Sequence, residues 1–181
     1  MKESVAKNII RKMTKEDVSR VAEIHTFGWR SAFRGIVSDE HLFKTMSVAK
    51  KTEDLSKTID DFETYVYDDG LVKAFMTIGK CRDNDKPDSF ELWGLFVEPL
   101  MTGQGIGSQL ISFCEEQARE RGFNEICIWT LEENTKGRTF YEQHGYALDG
   151  HRKLRDTLRV AEIRYTKHRA PQKEQKQGET K

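Results

Sequence analysis

A strand-to-helix turn built on three glycines constrains this chain most. Phe90 to Val97 reads as an apolar strand, Pro99 stops it, and Gly103-Gln-Gly105-Ile-Gly107 follows. Ile106, Leu110, Ile111, Phe113, Cys114 and Ala118 then recur with helical spacing up to Gly122. Glycines at such a junction let the backbone approach a ligand and turn successive N–H groups outward. With the helix dipole behind them, those groups suit a phosphate. A nucleotide P-loop would need a lysine after Gly107, where Ser108 stands. A dinucleotide fold would need its glycines early in a βαβ unit, whereas three strands precede these. The glycines alone also fit a tight turn that binds nothing.

The rest of the chain supplies a mixed α+β pattern. Residues 8–13 read as a first strand, and Thr14 with Asp17 reads as a capping box. Val18, Val21, Ala22, Ile24 and His25 predict a helix to about Phe33, which Gly35 breaks. Ser38 predicts a second helix through Leu42 and Met46, and the charge-rich 50–61 stretch reads as a solvated face. Phe62–Tyr67 and Leu71–Ile78 flank Asp68-Asp-Gly70, a hairpin signal. After the glycine turn and its helix come a strand at Glu125–Leu131 and a short helix from Asn134 to His144, closed by Gly145. Strands at Tyr146–Leu148 and Leu158–Thr166 finish the chain. Helices should therefore cover a largely antiparallel sheet, with one parallel pair inside residues 90–131.

Composition narrows the function classes. The chain has 181 residues, enough for one domain with its own core, expected over residues 1–167. Its charged fraction is 33% and its formal net charge is zero, giving no electrostatic case for a nucleic-acid or membrane partner. No apolar run approaches a membrane span, and the N-terminus lacks a signal peptide's apolar stretch. Residues 168–181 lack large apolar side chains and read as a disordered tail. Cys81, Cys114 and Cys127 show neither CxxC spacing nor a His–Cys cluster. They read as reduced thiols, which points to the cytoplasm and to no bound metal.

Two segments narrow the ligand further. Leu95-Phe96-Val97-Glu98-Pro99 followed by Gly-x-Gly-x-Gly resembles motif A of the GNAT superfamily of N-acetyltransferases. The segment from Asn134 through Phe140, Tyr141 and Gly145 to Tyr146 resembles the family's following motif. The likeness covers roughly residues 8–167 and implies the GNAT fold, with a strand pair splayed where acetyl-CoA enters. It implies coenzyme contacts from Leu95, Phe96, Val97, Gly103, Gln104, Gly105, Ile106, Gly107, Ser108 and Asn134. Thr102 stands where the family usually has Gln or Arg, a departure that touches affinity more than identity. Gly137 stands where the family often has alanine, which should weaken its helix slightly.

The resemblance also implies chemistry. Family enzymes move an acetyl group to a primary amine by direct attack in a ternary complex. This sequence offers no Ser–His or Cys–His arrangement to suggest otherwise. Tyr141 matches the family's general acid for the departing thiolate; its packing alternative is a core aromatic beside Phe140. Glu91 matches a catalytic-base glutamate, and period-two alternation puts Glu91, Trp93, Leu95 and Val97 on one face. A solvated strand-start residue is the plainer reading of Glu91. The run from His25 to Ile36 resembles an acceptor-lining segment of bacterial members, with Trp29, Phe33 and Arg34 as acceptor contacts. Core anchoring is the plainer reading of Trp29 and Phe33, and packing that of His25. The acceptor would be a small amine or a protein amine, and a homodimer is admissible. The rival functions are a coenzyme-A-binding sensor without catalysis and a plain interaction domain.

Overall fold

The computed structural model describes residues 9–168, so the expected tail lies, from residue 169, outside the described residues. Seven strands form one open sheet: β1 (Ile9–Lys12), β2 (Glu63–Asp68), β3 (Val72–Lys80), β4 (Phe90–Val97), β5 (Glu125–Leu131), β6 (Ala147–Arg155) and β7 (Val160–His168). Their order is β1-β2-β3-β4-β5-β7-β6, and every neighbouring pair is antiparallel except β4–β5. The helices are α1 (Val18–Ala32), α2 (Val48–Thr58), α3 (Ile106–Glu120) and α4 (Thr135–Gln143). Among the described residues no helix is long and apolar enough to cross a membrane.

Local signals explain most boundaries. Asp17 accepts hydrogen bonds from the Thr14 backbone N–H (2.8 Å) and from Arg11, and so fixes the entry to α1. In the β2–β3 hairpin, Gly70 takes φ +108° and donates its N–H to the Asp68 carboxylate. Ile106, Leu110, Ile111, Cys114 and Ala118 give α3 a buried stripe against β3, β4 and β5, in the largest core cluster. On the opposite face, Val18, Val21 and Ile24 of α1 pack on Val66, Val72 and Phe75. The sheet thus separates two apolar layers, one under α3 and one under α1.

Two expectations need correction. The helix expected from Ser38 to Met46 forms over residues 39–45 with a π-helical turn at His41–Thr45; Met46 is extended and Ser47 starts α2 by capping the Lys50 N–H. The stretch read as a solvated face is mostly α2, which buries no residue completely and turns the partly buried Leu55 to the α1 layer. The strand expected at Tyr146–Leu148 continues to Arg155 through an irregularity between Leu148 and Arg152. It is an edge strand exposed along most of its length, so no apolar alternation marks it.

One buried cation ties the far ends together. Arg164 of β7 is 1% exposed and meets Asp83 at 2.8 Å, Asp85 at 2.5 Å and Asp149 at 2.6 Å. Those carboxylates push the guanidinium pKa further up and keep it charged. Trp129 Nε1 donates to the same Asp83 (2.7 Å), so the β3–β4 connection is held against β5, β6 and β7. Replacing this cation with an apolar side chain would leave three carboxylates facing one another. Arg164→Leu should lower the unfolding free energy by about 3–5 kcal/mol in urea denaturation. A loss below about 1 kcal/mol would contradict this role.

Candidate functional site: a wedge between two parallel strands

The parallel pair is short. Only Phe90, Leu92 and the Glu91 between them pair with Ile126, Ile128 and Cys127. Beyond Leu92, residues 94–97 keep β3 as partner but lose β5. Half of the β4 backbone polar groups there face an open wedge, which a ligand's amides could fill. A cavity of about 860 Å³ runs from the glycine turn through this wedge to α1 and α2. That volume suits a ligand of cofactor size.

At one end lies the glycine turn. Gly103 and Gly105 adopt φ +79° and +78°, a left-handed backbone that favours glycine, and Gly105 is the residue that starts α3. A Cβ added at either would meet no protein atom within 4 Å, so the surface above them is open. Gly107 differs: a Cβ there would lie 3.2 Å from Phe140, so it serves the packing of α3 on α4. Thr102 bonds back to the Pro99 carbonyl and also lines the cavity.

The opposite wall comes from α4. Asn134 caps that helix by accepting the Gly137 N–H (3.1 Å), and its amide donates to Thr130 (3.2 Å). A Cβ on Gly137 would meet the Asn134 amide at 2.3 Å. Gly137 is thus where this cap approaches the helix, not merely a weaker helix former. Tyr141 is partly buried and packs against the main core, and burial pushes its phenol up to about 12.

The structure brings most of the predicted residues together. Leu95, Phe96, Val97, Gly103, Gly105, Ile106, Gly107, Ser108, Asn134 and Tyr141 all line the cavity, as do Trp29 and Phe33. Trp29 and Phe33 also pack edge to face (4.8 Å) within a core cluster, so the anchoring and lining readings both describe them. Gln104 is exposed and contacts the Met101 sulfur instead. Arg34 is exposed and lies outside the cavity, in the turn after α1 where Gly35 takes φ +84°.

Glu91 is the main correction. Thr77 pairs with Gly94 and Ile78 with Leu92, so Trp93 is an extra residue in β4. This bulge breaks the period of two. Leu95 and Val97 consequently share the α3 face with Phe90 and Leu92, and Glu91 points to the other side. It does not line the cavity. Glu91 is 1% exposed and is held by Arg82 through the backbone N–H (2.9 Å) and the guanidinium. Arg82 in turn lies over the Trp93 ring at 4.5 Å.

Three features escaped sequence reasoning because their parts are remote in the chain. Ser108 Oγ lies 3.0 Å from His144 Nε2, while His144 Nδ1 lies 2.7 Å from the Phe140 carbonyl. The carbonyl can only accept, so Nδ1 donates to it, and Nε2 is left to pair with the Ser108 hydroxyl. Cys81, Cys127 and Glu91 converge within 4.8 Å, yet both thiols are pushed up by burial and Arg82 occupies the carboxylate. Lys51 and Glu162 line the cavity from α2 and β7, and Glu162 is engaged by Arg155 (3.3 Å) and Lys153 (3.8 Å).

An open, mostly antiparallel sheet with one splayed parallel pair leading to a glycine anion turn defines a class of coenzyme-binding transferases. Residues 37–146 match the model of the acetyltransferase (GNAT) family, and the chain belongs to that family. An uncharacterized N-acetyltransferase of Bacillus subtilis, YuaI, is 25% identical over 86% of this chain and 87% of its own length. A spermidine N(1)-acetyltransferase of Thermoplasma acidophilum is 24% identical over 77% of this chain and 88% of its own. The crystal structure of the PaiA N-acetyltransferase of Thermoplasma acidophilum in complex with coenzyme A superposes with a TM-score of 0.68. It is 19% identical, with 90% of this chain and 99% of that chain covered.

Because Glu91 lies behind the strand in an ion pair, Glu91→Gln should leave the pH–rate profile of acetyl transfer in place. It should instead lower thermal stability by releasing Arg82. Loss of the acidic limb of the profile, where a general base takes up its proton, would return Glu91 to the base's role.

Proposed function

We propose that the protein transfers an acetyl group from acetyl-CoA to a primary amine by direct attack within a ternary complex. The observation that carries this reading is the continuity of one cavity from the glycine turn, through the β4–β5 wedge, to α1 and α2. A coenzyme laid along it would have its pyrophosphate over Gly103 and Gly105, where free N–H groups and the α3 dipole stabilise negative charge. Its pantetheine amides would pair with the β4 backbone at Leu95–Val97, which β5 leaves open. The acceptor would enter from the side of Trp29 and Phe33.

The amine nitrogen bonds to the acetyl carbon, the carbonyl oxygen takes negative charge, and the carbon–sulfur bond then breaks. A β4 backbone N–H near Leu95 is the donor for that oxygen. Tyr141 is the donor to the leaving sulfur, a role supported by its place in the cavity lining beside Phe140 on the α4 wall. Its pKa of about 12 keeps the phenol protonated at every working pH. The same value makes it a weaker acid than an ordinary thiol at roughly 8.5, so full transfer is uphill. Tyr141 therefore acts by donating a hydrogen bond as the sulfur gains charge. His25, held down to about 3 by burial and by the Lys51 charge, stays neutral and is too weak a base for the amine. The amine's proton leaves through water in the cavity.

Tyr141→Phe should lower kcat about 10- to 100-fold, following the loss of one donor to developing charge, and leave coenzyme affinity nearly intact. Steady-state kinetics with a calorimetric coenzyme titration checks both, and unchanged kcat removes Tyr141 from the chemistry. Coenzyme A should raise the melting temperature of the protein and leave that of Gly105→Asp unmoved, because the added carboxylate would face the phosphates. No shift in the unsubstituted protein would sink the reading.

A further inference from the structure

We propose that the α1–α2 end of the cavity binds a carboxylate, so that the preferred acceptor is an amine that also carries a carboxylate, of the apolar amino-acid class. This deepens the acetyltransferase reading and rests on it.

Three polar groups belong to residues that line this end. Trp29 Nε1 and His25 Nδ1 are both shielded from solvent and have no hydrogen-bond partner among the described residues. They sit one turn apart on α1, with ring centroids 5.9 Å from each other. An indole N–H can only donate, and a neutral imidazole can donate from either nitrogen. The indole N–H calls for an acceptor that this stretch of protein does not supply, and His25 Nδ1 calls for one when it carries the ring proton. Unpaired buried donors are costly, and ligand sites are where such groups are retained.

The third group is Lys51 of α2. It is half-buried, lines the cavity beside His25, and makes no ion pair among the described residues. Burial lowers its pKa, which means its ammonium is short of water and of an opposite charge. Asp54, one turn further along α2, offsets that only in part. A ligand carboxylate would meet all three needs at once: it accepts two or more N–H bonds and neutralises the ammonium.

Charge around the rest of the cavity points the same way. Its lining carries the cations Lys51, Lys136 and Arg155 and a single acid, Glu162, already engaged by Arg155 and Lys153. A polyamine acceptor would place further positive charge beside Lys51, and among the described lining residues no unengaged carboxylate would receive it. Phe33, Phe75 and Phe96 supply the apolar wall against which the body of the acceptor would lie.

Matched amine pairs test the proposal directly. Acetyl-CoA turnover would be followed by thiol release with L-phenylalanine against phenethylamine, L-leucine against 3-methylbutylamine, and 5-aminovalerate against butylamine, with spermidine alongside. The carboxylate member should be preferred in kcat/KM by about tenfold or more in at least one pair, the scale of a charge-assisted hydrogen bond. Lys51→Met should bring that ratio to within about twofold of unity by raising KM, while Lys51→Arg retains it. Calorimetric titration of the preferred acid into the coenzyme A complex should show the same loss in Lys51→Met. The proposal is overturned if the decarboxylated member equals its partner in every pair, if spermidine is the best acceptor, or if Lys51→Met keeps the preference. Coenzyme binding with efficient turnover of plain amines would overturn this inference alone. Absence of any coenzyme-induced thermal shift would overturn the acetyltransferase reading, and this inference with it.

Discussion

The structure turns on how little of β4 pairs with β5. A parallel ladder normally continues until one strand ends, because each lost pairing leaves backbone donors and acceptors without partners. Here it stops after Leu92 although both strands continue, to Val97 and Leu131. The unpaired groups border a wedge and not bulk protein, so they remain available to a ligand. The Trp93 bulge makes this arrangement compatible with a packed core. It rotates the strand so that Leu95 and Val97 stay on the α3 face while the backbone leaves its partner.

A wedge cut into a sheet needs support on both sides. Behind β4, the buried Glu91 pairs with the exposed Arg82, whose guanidinium lies over Trp93, and Trp93 itself is seated on Gly79, where a Cβ would lie 2.9 Å from its ring. Beyond β5, Arg164 gathers Asp83, Asp85 and Asp149 from two other parts of the chain. Both networks join the β3–β4 connection to the strands, and neither touches the cavity wall at the glycine turn. Charged side chains that could be mistaken for catalytic groups are thus employed in holding the two halves of the sheet at their separation. The groups that face the cavity are mostly backbone N–H, aromatic rings and a phenol that burial keeps protonated.

Much of this was legible in the chain itself. The glycine turn, the stripe of α3, the hairpin at Gly70 and the Asn134 cap are local devices, each written within one turn or one hairpin, and each stands where its residues put it. The Tyr141 position follows from its place in a short helix. What misled was alternation: counting by twos from Leu95 back to Glu91 gives one face only if no residue is added, and a bulge has no compositional mark at Trp93. Helix α2 escaped for a related reason. Its residues are polar enough to read as solvated, and Lys51 gains meaning only once α1 has brought His25 and Trp29 beside it.

The sequence by itself determined the elements and the glycine turn, because hydrophobic period, caps and left-handed glycines act over a few residues. Only the tertiary structure decided which face Glu91 takes, that Ser108 meets His144, and that the α1–α2 end of the cavity gathers donors. Those outcomes depend on register and on contacts between segments far apart in the chain, such as the 36 residues between Ser108 and His144. Local pattern carries no record of such separations, since they are set when the sheet closes its pairings and leaves one of them open.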